Sequence, residues 1–465
     1  MMKNYDLVVI GAGPGGYVAA IRAAHLGLKT AIVEKDAKLG GTCLLRGCIP
    51  TKSLLHSADV LDEMRNAKKH GILASEVGFD FEGVQKARNK IIQKSAAGVD
   101  YLMKSTKIDV HKGTGSLQSS TTVEVKGDSG TTLLQAKHIL LATGSVPRRL
   151  PFIDIDGKHF VSSDEILELK QPPKSLIILG SGAVGVEFAS IYSRFGTDCT
   201  VVELLDRALP MEDAEVSEEF TKLFRKRKIK VLTGTKIESA KEEKGQVVAT
   251  INDGKTTSTL EAEMLLVAVG RAPVTHGLNL ETIGVTTDQA GFIEVDGLMK
   301  TSVPNIYAIG DIVKTPQLAH IASAEAILAV DHIAGKKAEP LNYLHTPGCT
   351  YSDPEVASVG YTEQQAIDAG YTIKVGKFPF AAIGKARIMD KAEGFVKIVS
   401  DAQYDEILGV HIIGPRATDL IAEACVALRL ESTTEELAHT IHAHPTLTEG
   451  VLEAAHAAMG RPIHM

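Results

Sequence analysis

Residues 5–34 read YDLVVIGAGPGGYVAAIRAAHLGLKTAIVE, the stretch that decides the fold of the N-terminal part of this chain. The apolar run before Gly11 predicts a buried parallel strand, the alanine-rich run after Gly16 predicts a helix, and a second strand closes at Glu34. The glycines, Gly13 included, allow a tight turn, the close approach of a pyrophosphate and the packing of helix on strand. The helix N-terminus favours phosphate charge, and the acid can accept a hydrogen bond from a ribose hydroxyl. The stretch therefore predicts a dinucleotide-binding unit.

A second copy of this pattern begins at Ser175. An apolar strand precedes the glycines Gly180, Gly182 and Gly185, and a helix and a further strand then lead to Glu203. The acid lies 23 residues beyond the first glycine in both copies (34 − 11 and 203 − 180). Two complete fingerprints predict that two dinucleotides bind at once; the alternative is one functional site and one decayed duplicate.

The second acid also bears on the choice of cofactor. A carboxylate at the end of the second strand favours a free ribose 2′-hydroxyl, whereas a 2′-phosphate requires arginine. After Glu203 the chain continues with Leu204, Leu205 and Asp206, and the nearest basic residue is Arg207. This site is therefore predicted to bind NAD rather than NADP.

Between the two copies, residues 40–52 read GGTCLLRGCIPTK, in which four residues separate Cys43 from Cys48. A loop of this length can close a disulfide, Gly47 keeps it flexible, and a helical segment is predicted from Pro50 to Leu55. A cysteine near a helix start or a positive group gains thiolate character, as a reactive thiol needs. Half of a zinc site and two buried thiols are the alternatives at this point, although a zinc site needs about four ligands.

The composition narrows the class of protein. The chain has 465 residues, enough for about three or four domains, and five cysteines, too few for a secreted disulfide framework. Any disulfide is therefore expected to be catalytic. A net charge of −7 disfavours general binding to nucleic acid or anionic membrane, and the basic run at 222–230 is interpreted as a solvated helix end. Neither a signal peptide nor a membrane-spanning apolar run is recognised, so a cytoplasmic protein is expected.

The segment from residue 60 to the second copy has a mixed pattern. Helical spacing over 60–104 predicts long surface helices, and residues 110–125 predict hairpin strands with turns at Gly113 and Gly115. A further apolar strand, 138–142, ends in Thr143, Gly144 and Ser145. The prolines at 147 and at 172–173 predict a domain boundary between them.

Two later strands and one helix carry further candidate residues. The strands end in Gly270 and in Gly310-Asp311, and an apolar helix is predicted to open at residues 317–320 and to run to Ile333. The positive end of that helix would favour an anionic reduced flavin. His320 lies there, and the alternative is that it is an ordinary residue at a helix start.

From about residue 344 the pattern changes to antiparallel strands at 350–359, 372–379, 394–400 and 407–412, followed by helices around 417–430 and 433–440. The chain then reads His442-Ala-His444-Pro-Thr446-Leu-Thr-Glu449. His444 can act as a base near neutral pH, and the Glu449 carboxylate could orient it. Because Thr446-x-x-Glu449 is also a capping-box pattern, Glu449 alternatively caps the closing helix.

Taken together, these motifs resemble the pyridine nucleotide–disulfide oxidoreductase family over nearly the whole chain. The matching motifs are Gly-Gly-Thr-Cys43 with Gly-Cys48-Ile-Pro-x-Lys52, the two Gly-x-Gly fingerprints, Ala-Thr-Gly144, Gly310-Asp311, Leu-Ala-His320 and His444-Pro-Thr-x-x-Glu449. The resemblance implies an α/β fold of two Rossmann-like dinucleotide-binding domains, for FAD and NAD, plus an α+β C-terminal dimerisation domain. The implied divisions are 1–147 for FAD, 148–275 for NAD, 276–344 for a central domain that completes the FAD site, and 345–465 for the interface of a homodimer.

The resemblance also implies roles for individual residues, and no metal site. Cys43 is the thiol that exchanges with substrate, Cys48 is the thiol against the flavin, and His444, oriented by Glu449, is a base supplied by the other subunit. The implied cofactor contacts are Gly11, Gly13, Gly16, Glu34, Lys52, Gly115, Thr143, Gly144, Ser145, Gly180, Gly182, Gly185, Glu187, Glu203, Gly270, Asp311, Leu318, Ala319 and His320. Among these, Lys52 is expected near flavin N5 and paired with Glu187.

The activity that the resemblance implies is the oxidation of protein-bound dihydrolipoamide to lipoamide with reduction of NAD⁺, in a 2-oxo acid dehydrogenase complex or in glycine cleavage. The partners implied are a second copy of the chain, lipoyl domains and the core of such a complex, with neither nucleic acid nor membrane. A disulfide reductase of glutathione reductase type and a mainly structural flavoprotein subunit are the alternatives.

One stretch departs from the family pattern. Residues 44–46 are Leu-Leu-Arg, where Leu-Asn-Val is usual. The Arg46 guanidinium is expected either to favour the thiolate form of a neighbouring cysteine by Coulomb attraction or to point into solvent.

Overall fold

The computed structural model describes residues 3–464 of the chain. Its strands, in chain order, are β1 (Lys3–Ile10), β2 (Thr30–Glu34), β3 (Asp109–Lys112), β4 (Thr114–Ser119), β5 (Thr122–Gly127), β6 (Gly130–Leu141), β7 (Ser145–Pro147), β8 (Phe160–Val161), β9 (Ser175–Leu179), β10 (Asp198–Val202), β11 (Lys230–Leu232), β12 (Lys236–Glu243), β13 (Gln246–Asn252), β14 (Thr257–Ala262), β15 (Met264–Val267), β16 (Arg271–Pro273), β17 (Ile306–Ala308), β18 (Gly348–Thr350), β19 (Glu355–Gly360), β20 (Ile373–Pro379), β21 (Phe395–Asp401) and β22 (Ile407–Gly414).

The α-helices are α1 (Pro14–His25), α2 (Gly41–Arg46), α3 (Cys48–Asn66), α4 (Phe81–Ser105), α5 (Ser163–Ile166), α6 (Ala183–Arg194), α7 (Ala214–Lys226), α8 (Leu280–Ile283), α9 (Ala319–Ile333), α10 (Glu363–Asp368), α11 (Gly384–Ile388), α12 (Ala417–Arg429), α13 (Thr434–His439) and α14 (Glu449–Ala458). Short 3₁₀ helices occupy Ala67–His70, Gly310–Ile312, Tyr343–His345 and Phe380–Ala382.

The described residues divide into two units. The first comprises 3–54, 80–148 and 270–343, and the second comprises 55–79, 149–269 and 344–464. Each unit therefore combines segments that are far apart in sequence. The division into four domains expected from the sequence stays a prediction.

The first unit contains a sheet in the order β3-β2-β1-β6-β5-β4, with β17 paired to β6. The pairs β1–β2, β2–β3, β1–β6 and β6–β17 are parallel, whereas β4, β5 and β6 form an antiparallel meander. Alternate residues of β1 enter two cores, Leu7 and Val9 on one face, Val8 and Ile10 on the other. Burial on both faces explains why this strand is a continuous apolar run.

The register of this sheet aligns the carboxyl ends of its parallel strands. Ile10 lies opposite Val33 and Leu141, and Ala308 also lies opposite Leu141. The residues that follow these four strands therefore meet at one edge, where open parallel sheets bind their ligands.

The second unit contains a parallel sheet in the order β11-β10-β9-β15-β8 and a three-stranded antiparallel sheet, β12-β13-β14. Leu179, at the end of β9, lies opposite Val202 and Val267. The second fingerprint and Glu203 thus follow strands that end at one edge, as in the first unit. An antiparallel sheet, β18-β19-β22-β21-β20, packs with α12, α13 and α14 around a separate apolar core.

Three local predictions were wrong. Gly115 lies inside β4 rather than in a turn. A glycine suits this strand position because a Cβ there would lie only 3.0 Å from Ile10 Cγ2 and 3.2 Å from Val33 Cγ1. The strand predicted over 350–359 is two antiparallel strands, β18 and β19. The expected loop between the cysteines is helical: Cys43 lies in α2, and Cys48 begins α3, which runs well past Leu55 to Asn66.

Across residues 3–464, no helix is both long enough and apolar enough to cross a membrane.

Candidate active site

The first nucleotide-binding turn connects β1 to α1. Gly11 has a φ of +104°, and a Cβ on Gly16 would lie 1.9 Å from the carbonyl oxygen of Gly11, so no larger residue fits at position 16. Gly13 is the N-cap of α1 and provides no capping side chain. The first N–H groups of the helix are therefore presented at the edge of the sheet, as a bound phosphate requires.

Glu34 secures this turn. One carboxylate oxygen accepts the N–H of Ala12 at 2.7 Å, and the other accepts the N–H of Asp36 at 2.8 Å. The side chain is 6% exposed, and a buried carboxylate needs such donors. Glu34 thus joins the glycine turn to the end of β2.

Glu203 repeats this arrangement in the second unit. One oxygen accepts from both the N–H and the hydroxyl of Ser181 at 2.8 Å, and the other accepts the N–H of Leu205 at 2.9 Å. Gly182 is the N-cap of α6, and a Cβ on Gly185 would lie 2.0 Å from the carbonyl oxygen of Gly180. The two fingerprints are therefore equivalent in geometry as well as in sequence.

The cysteine-bearing helix α2 begins directly against the first nucleotide-binding turn. Gly40 donates its N–H to the carbonyl oxygen of Ala12 at 2.9 Å, and a Cβ on Gly41 would lie 2.5 Å from the Cα of Gly13. This close backbone approach is possible because Gly41 has no side chain. Cys43, two residues further along α2, is thereby held near the first nucleotide-binding turn.

Cys43 and Cys48 are present as thiols whose side chains are in hydrogen-bond contact. This contact and burial raise the pKa of Cys43 well above its ordinary range, while the positive charge of Lys52 acts in the opposite direction. The two sulfurs are thus already in contact in the reduced pair, as closure of a disulfide between them requires.

Arg46 pairs with a carboxylate, and its side chain stays 38% exposed. Its guanidinium forms an ion pair with the carboxylate of Asp36, just beyond Glu34. Lys112 donates to the carbonyl oxygen of the same Asp36 at 3.1 Å. The expected electrostatic effect of Arg46 on a cysteine thiolate stays a prediction, and the pairing with Asp36 reduces the charge available for it.

Asp311 lies in a network with Ser145 and Arg271. The Ser145 hydroxyl donates to the Asp311 carboxylate, and Arg271 donates from Nε to Ser145 Oγ at 2.6 Å and from Nη2 to the Ser145 carbonyl oxygen at 2.8 Å. Antiparallel pairing of β7 with β16 brings these segments together. Thr143 donates to the carbonyl oxygen of Val274 at 2.6 Å.

Helix α9 is hydrogen-bonded to the turn at Gly310 through one buried glutamate. Glu325, which is 0% exposed, accepts the N–H of Gly310 at 2.6 Å and the hydroxyl of Tyr343 at 2.9 Å. Burial raises the pKa of this carboxyl group. The predicted contact residues occupy the first turn, with Leu318 as N-cap, Ala319 as the first helical residue and His320 exposed after it.

The remaining predicted contacts are placed as follows. Gly144 and Gly270 both have positive φ, +72° and +100°, at the entries to β7 and β16. Lys52 lies on α3 in the first unit, whereas Glu187 lies on α6 in the second, where it is 4% exposed and accepts the N–H of Tyr351 at 2.9 Å. The expected pairing of Lys52 with Glu187 stays a prediction.

His444 and Glu449 are in direct contact. His444 Nδ1 lies 2.9 Å from Glu449 Oε1, and the other carboxylate oxygen accepts the N–H of Thr446 at 2.8 Å. Thr448, rather than Thr446, is the N-cap of α14, so the full capping box is not formed. Glu449 therefore contacts the imidazole, as a residue that orients it must, and also accepts one backbone N–H, as half of a capping box does. The His444 side chain is 79% exposed, which leaves its Nε2 edge accessible.

Comparison with known proteins supplies the classification. Residues 5–326 match the pyridine nucleotide-disulphide oxidoreductase family, and residues 346–455 match the dimerisation domain of the same family. The chain belongs to the pyridine nucleotide-disulphide oxidoreductases. A dihydrolipoyl dehydrogenase of Bacillus subtilis is 46% identical over 476 residues, which cover 100% of both chains.

Two solved structures share this architecture. LpdA from Mycobacterium tuberculosis has a TM-score of 0.90 at 27% identity, over 98% of this chain and 99% of that one. The Cu(II) complex of RclA, a HOCl-induced flavoprotein disulfide reductase from Escherichia coli, has a TM-score of 0.88 at 27% identity, with the same coverage. The predicted family and the predicted α/β class with a C-terminal dimerisation domain are confirmed.

As a pyridine nucleotide-disulphide oxidoreductase, the protein uses FAD and NAD, and the residues present fit both groups. Each fingerprint offers an uncapped helix N-terminus for a pyrophosphate and a carboxylate at the end of the second strand for a ribose. The match to the family's dimerisation domain supports a homodimer.

Sequence reasoning missed several residues of this site. Arg271 donates to Ser145 and lies 4.0 Å from Asp311, and Glu325 accepts the N–H of Gly310. Burial and the nearby Cys43 raise the pKa of Tyr17. A signal was present for Arg271, which directly follows a predicted contact residue. The sequence offered no such signal for Glu325, because the residues around an acid in an apolar helix do not indicate which group it will contact.

The geometry of Glu203 leads to a prediction about nucleotide choice. Its buried carboxylate repels a 2′-phosphate, so NAD is expected to be preferred over NADP at least about tenfold in kcat/KM, or ~1.4 kcal/mol. Glu203→Ala is expected to narrow that ratio. Ser181→Ala is the matched control, because it removes one donor to Glu203 but keeps the charge, so the ratio should persist. Equal use of both nucleotides by the unmodified protein would contradict the assignment.

Proposed function

We propose that this protein oxidises protein-bound dihydrolipoyl groups to the cyclic disulfide and reduces NAD⁺, with electrons passing through the Cys43–Cys48 pair. The observation that carries the proposal is the contact between α2 and the first nucleotide-binding turn, through Gly40 and Gly41. It joins a redox-capable cysteine pair to a dinucleotide site in one rigid arrangement. The relative from Bacillus subtilis bears the name of an enzyme with this activity.

The first step is a proton transfer to His444. Because its Nδ1 edge lies 2.9 Å from the Glu449 carboxylate, Nδ1 carries the hydrogen and Nε2 is left as the acceptor. Nε2 takes a proton from one thiol of the dihydrolipoyl group, and Glu449 stabilises the imidazolium that results. In the proposed dimer, this histidine serves the cysteine pair of the other chain.

The second step is thiol–disulfide exchange at Cys43. In the oxidised enzyme Cys43 and Cys48 form a disulfide; the substrate thiolate attacks the Cys43 sulfur, and Cys48 leaves as a thiolate. The second substrate sulfur then attacks the mixed disulfide and closes the lipoyl ring, its proton passes to the departing Cys43 sulfur, and the first proton stays on His444. Two electrons have moved to the cysteine pair, which is left as the Cys43 thiol and the Cys48 thiolate.

FAD, which the first fingerprint would hold, would supply the two-electron carrier that links the reduced cysteine pair to NAD⁺. Cys48 is the thiol assigned to that contact, because it leaves the exchange step as a thiolate. Glu203 and the second fingerprint hold the NAD⁺ ribose and pyrophosphate.

The proposed partners are the lipoyl domains and the core of a 2-oxo acid dehydrogenase complex or the glycine cleavage system. The substrate of this reaction is carried on a protein, so a docking surface for the carrier is required. The cytoplasmic location expected from the sequence stays a prediction.

One pair of assays tests this function. The purified flavoprotein is expected to reduce NAD⁺ with dihydrolipoamide at a kcat/KM at least about tenfold above that for NADPH oxidation by glutathione disulfide, since a single charged contact already gives that much discrimination. The absorption spectrum of the purified protein shows whether FAD is bound, so a low rate caused by loss of FAD can be excluded. If glutathione disulfide is turned over faster, the protein is instead a disulfide reductase of the glutathione reductase type.

A further inference from the structure

His442, two residues before His444, is held at both ring nitrogens. Nε2 lies 2.7 Å from Oε1 of Glu423 on α12, and Nδ1 lies 2.8 Å from the carbonyl oxygen of Thr440. The His442 side chain is only 5% exposed, whereas the His444 side chain is 79% exposed. The two histidines of this motif therefore have opposite environments.

Both hydrogen-bond partners of His442 are oxygen atoms. A carbonyl oxygen and a carboxylate can only accept, whereas a neutral imidazole has one N–H and one acceptor nitrogen. The Thr440 carbonyl oxygen therefore faces the N–H of Nδ1, and the Glu423 carboxylate faces Nε2 on the other side of the ring.

These contacts tie down the backbone on one side of His444. The chain between Thr440 and His444 is fixed to α12 through the imidazole of His442. On the other side, the Thr446 hydroxyl donates to the carbonyl oxygen of Ala443 at 2.7 Å, and Glu449 holds the Thr446 N–H. The base thus lies in a short segment that is anchored at both ends.

We propose that His442 and Glu423 form a positioning pair that orients His444 for proton transfer. The pair does not touch the substrate; it acts by fixing the segment that carries the base. Because Glu423 comes from α12, the pair also links the base to the apolar core of the C-terminal sheet. The inference rests on the proposed function, since it assigns a role in the dithiol half of that reaction.

The test separates that half-reaction from the rest of catalysis. His442→Gln and Glu423→Gln are compared with the unmodified protein in two assays: dihydrolipoamide oxidation by NAD⁺, and NADH oxidation by ferricyanide, which needs the flavin but no dithiol proton. We expect kcat/KM for dihydrolipoamide to fall about tenfold in each variant, within the loss that misplacing a reacting group causes. Ferricyanide reduction should change less than about twofold on the same grounds, because His444 takes no part in it.

Two controls sharpen the comparison. His439→Gln changes an exposed histidine of α13 a few residues away and should leave both activities unchanged. The double variant His442→Gln/Glu423→Gln should fall no further than either single variant, since both remove one interaction. Additive losses would overturn the pairing.

The failures of the two proposals can be told apart. If the unmodified protein does not oxidise dihydrolipoamide, the proposed function fails. If it does, and His442→Gln matches it in both assays, the positioning role is overturned. Equal losses of dihydrolipoamide and ferricyanide activity, or loss of FAD, would also overturn it, because they indicate general disruption of the fold.

Discussion

A mixed dimer of one Cys43→Ser chain and one His444→Gln chain is expected to regain dihydrolipoamide oxidation that each mutant homodimer has lost. In the proposed homodimer each site takes Cys43 from one chain and His444 from the other. One site of the mixed dimer then combines both lesions, and the other has both residues intact. Activity should return to about half of that of the unmodified dimer, from a level reduced roughly 10²–10⁴-fold by loss of the base.

The measurement uses two different affinity tags, so that only mixed dimers survive two purification steps. Their FAD content is checked by absorption before turnover is assayed, and each mutant homodimer is carried through the same steps as a control. A site built within one chain would give each subunit one lesion. Purified mixed dimers that hold FAD and show no recovered turnover would therefore exclude the shared site.

Cys43→Ser is expected to abolish dihydrolipoamide turnover, by on the order of 10³-fold or more, as removal of an essential reacting group does. No disulfide can then form, so the substrate thiolate has no sulfur to attack. FAD binding should persist, because the turn that contacts α2 does so through the backbone of Gly40 and Gly41. Cys48 should remain as a thiolate beside the flavin and give a long-wavelength absorption band.

Cys48→Ser is the matched control for that spectrum. It should lose turnover equally but show no such band, since the thiolate assigned to the flavin contact is then absent. Retained turnover in Cys43→Ser would remove this residue from the mechanism. A band in Cys48→Ser and none in Cys43→Ser would exchange the assigned roles of the two cysteines.

The elements around both nucleotide sites could be predicted because their signals are local. The strands β1 and β9, the helices after them and the acids Glu34 and Glu203 follow from apolar runs and glycine spacing within about 30 residues. Gly115 was misplaced because a glycine that makes room for neighbouring strands has the same local pattern as a glycine in a turn. The helix through Cys43 was missed for a similar reason, since six residues are too short for a periodic signal.

The sequence alone determined the two dinucleotide fingerprints, the spacing of the cysteines and the His444–Glu449 motif, because each depends on residues near one another along the chain. Tertiary structure alone decided that Arg46 pairs with Asp36 and that His442 reaches Glu423 on another helix. These partners are selected by packing. A charged or polar side chain near the interior takes whichever partner the fold brings within hydrogen-bond distance, and no local pattern along the chain records that choice.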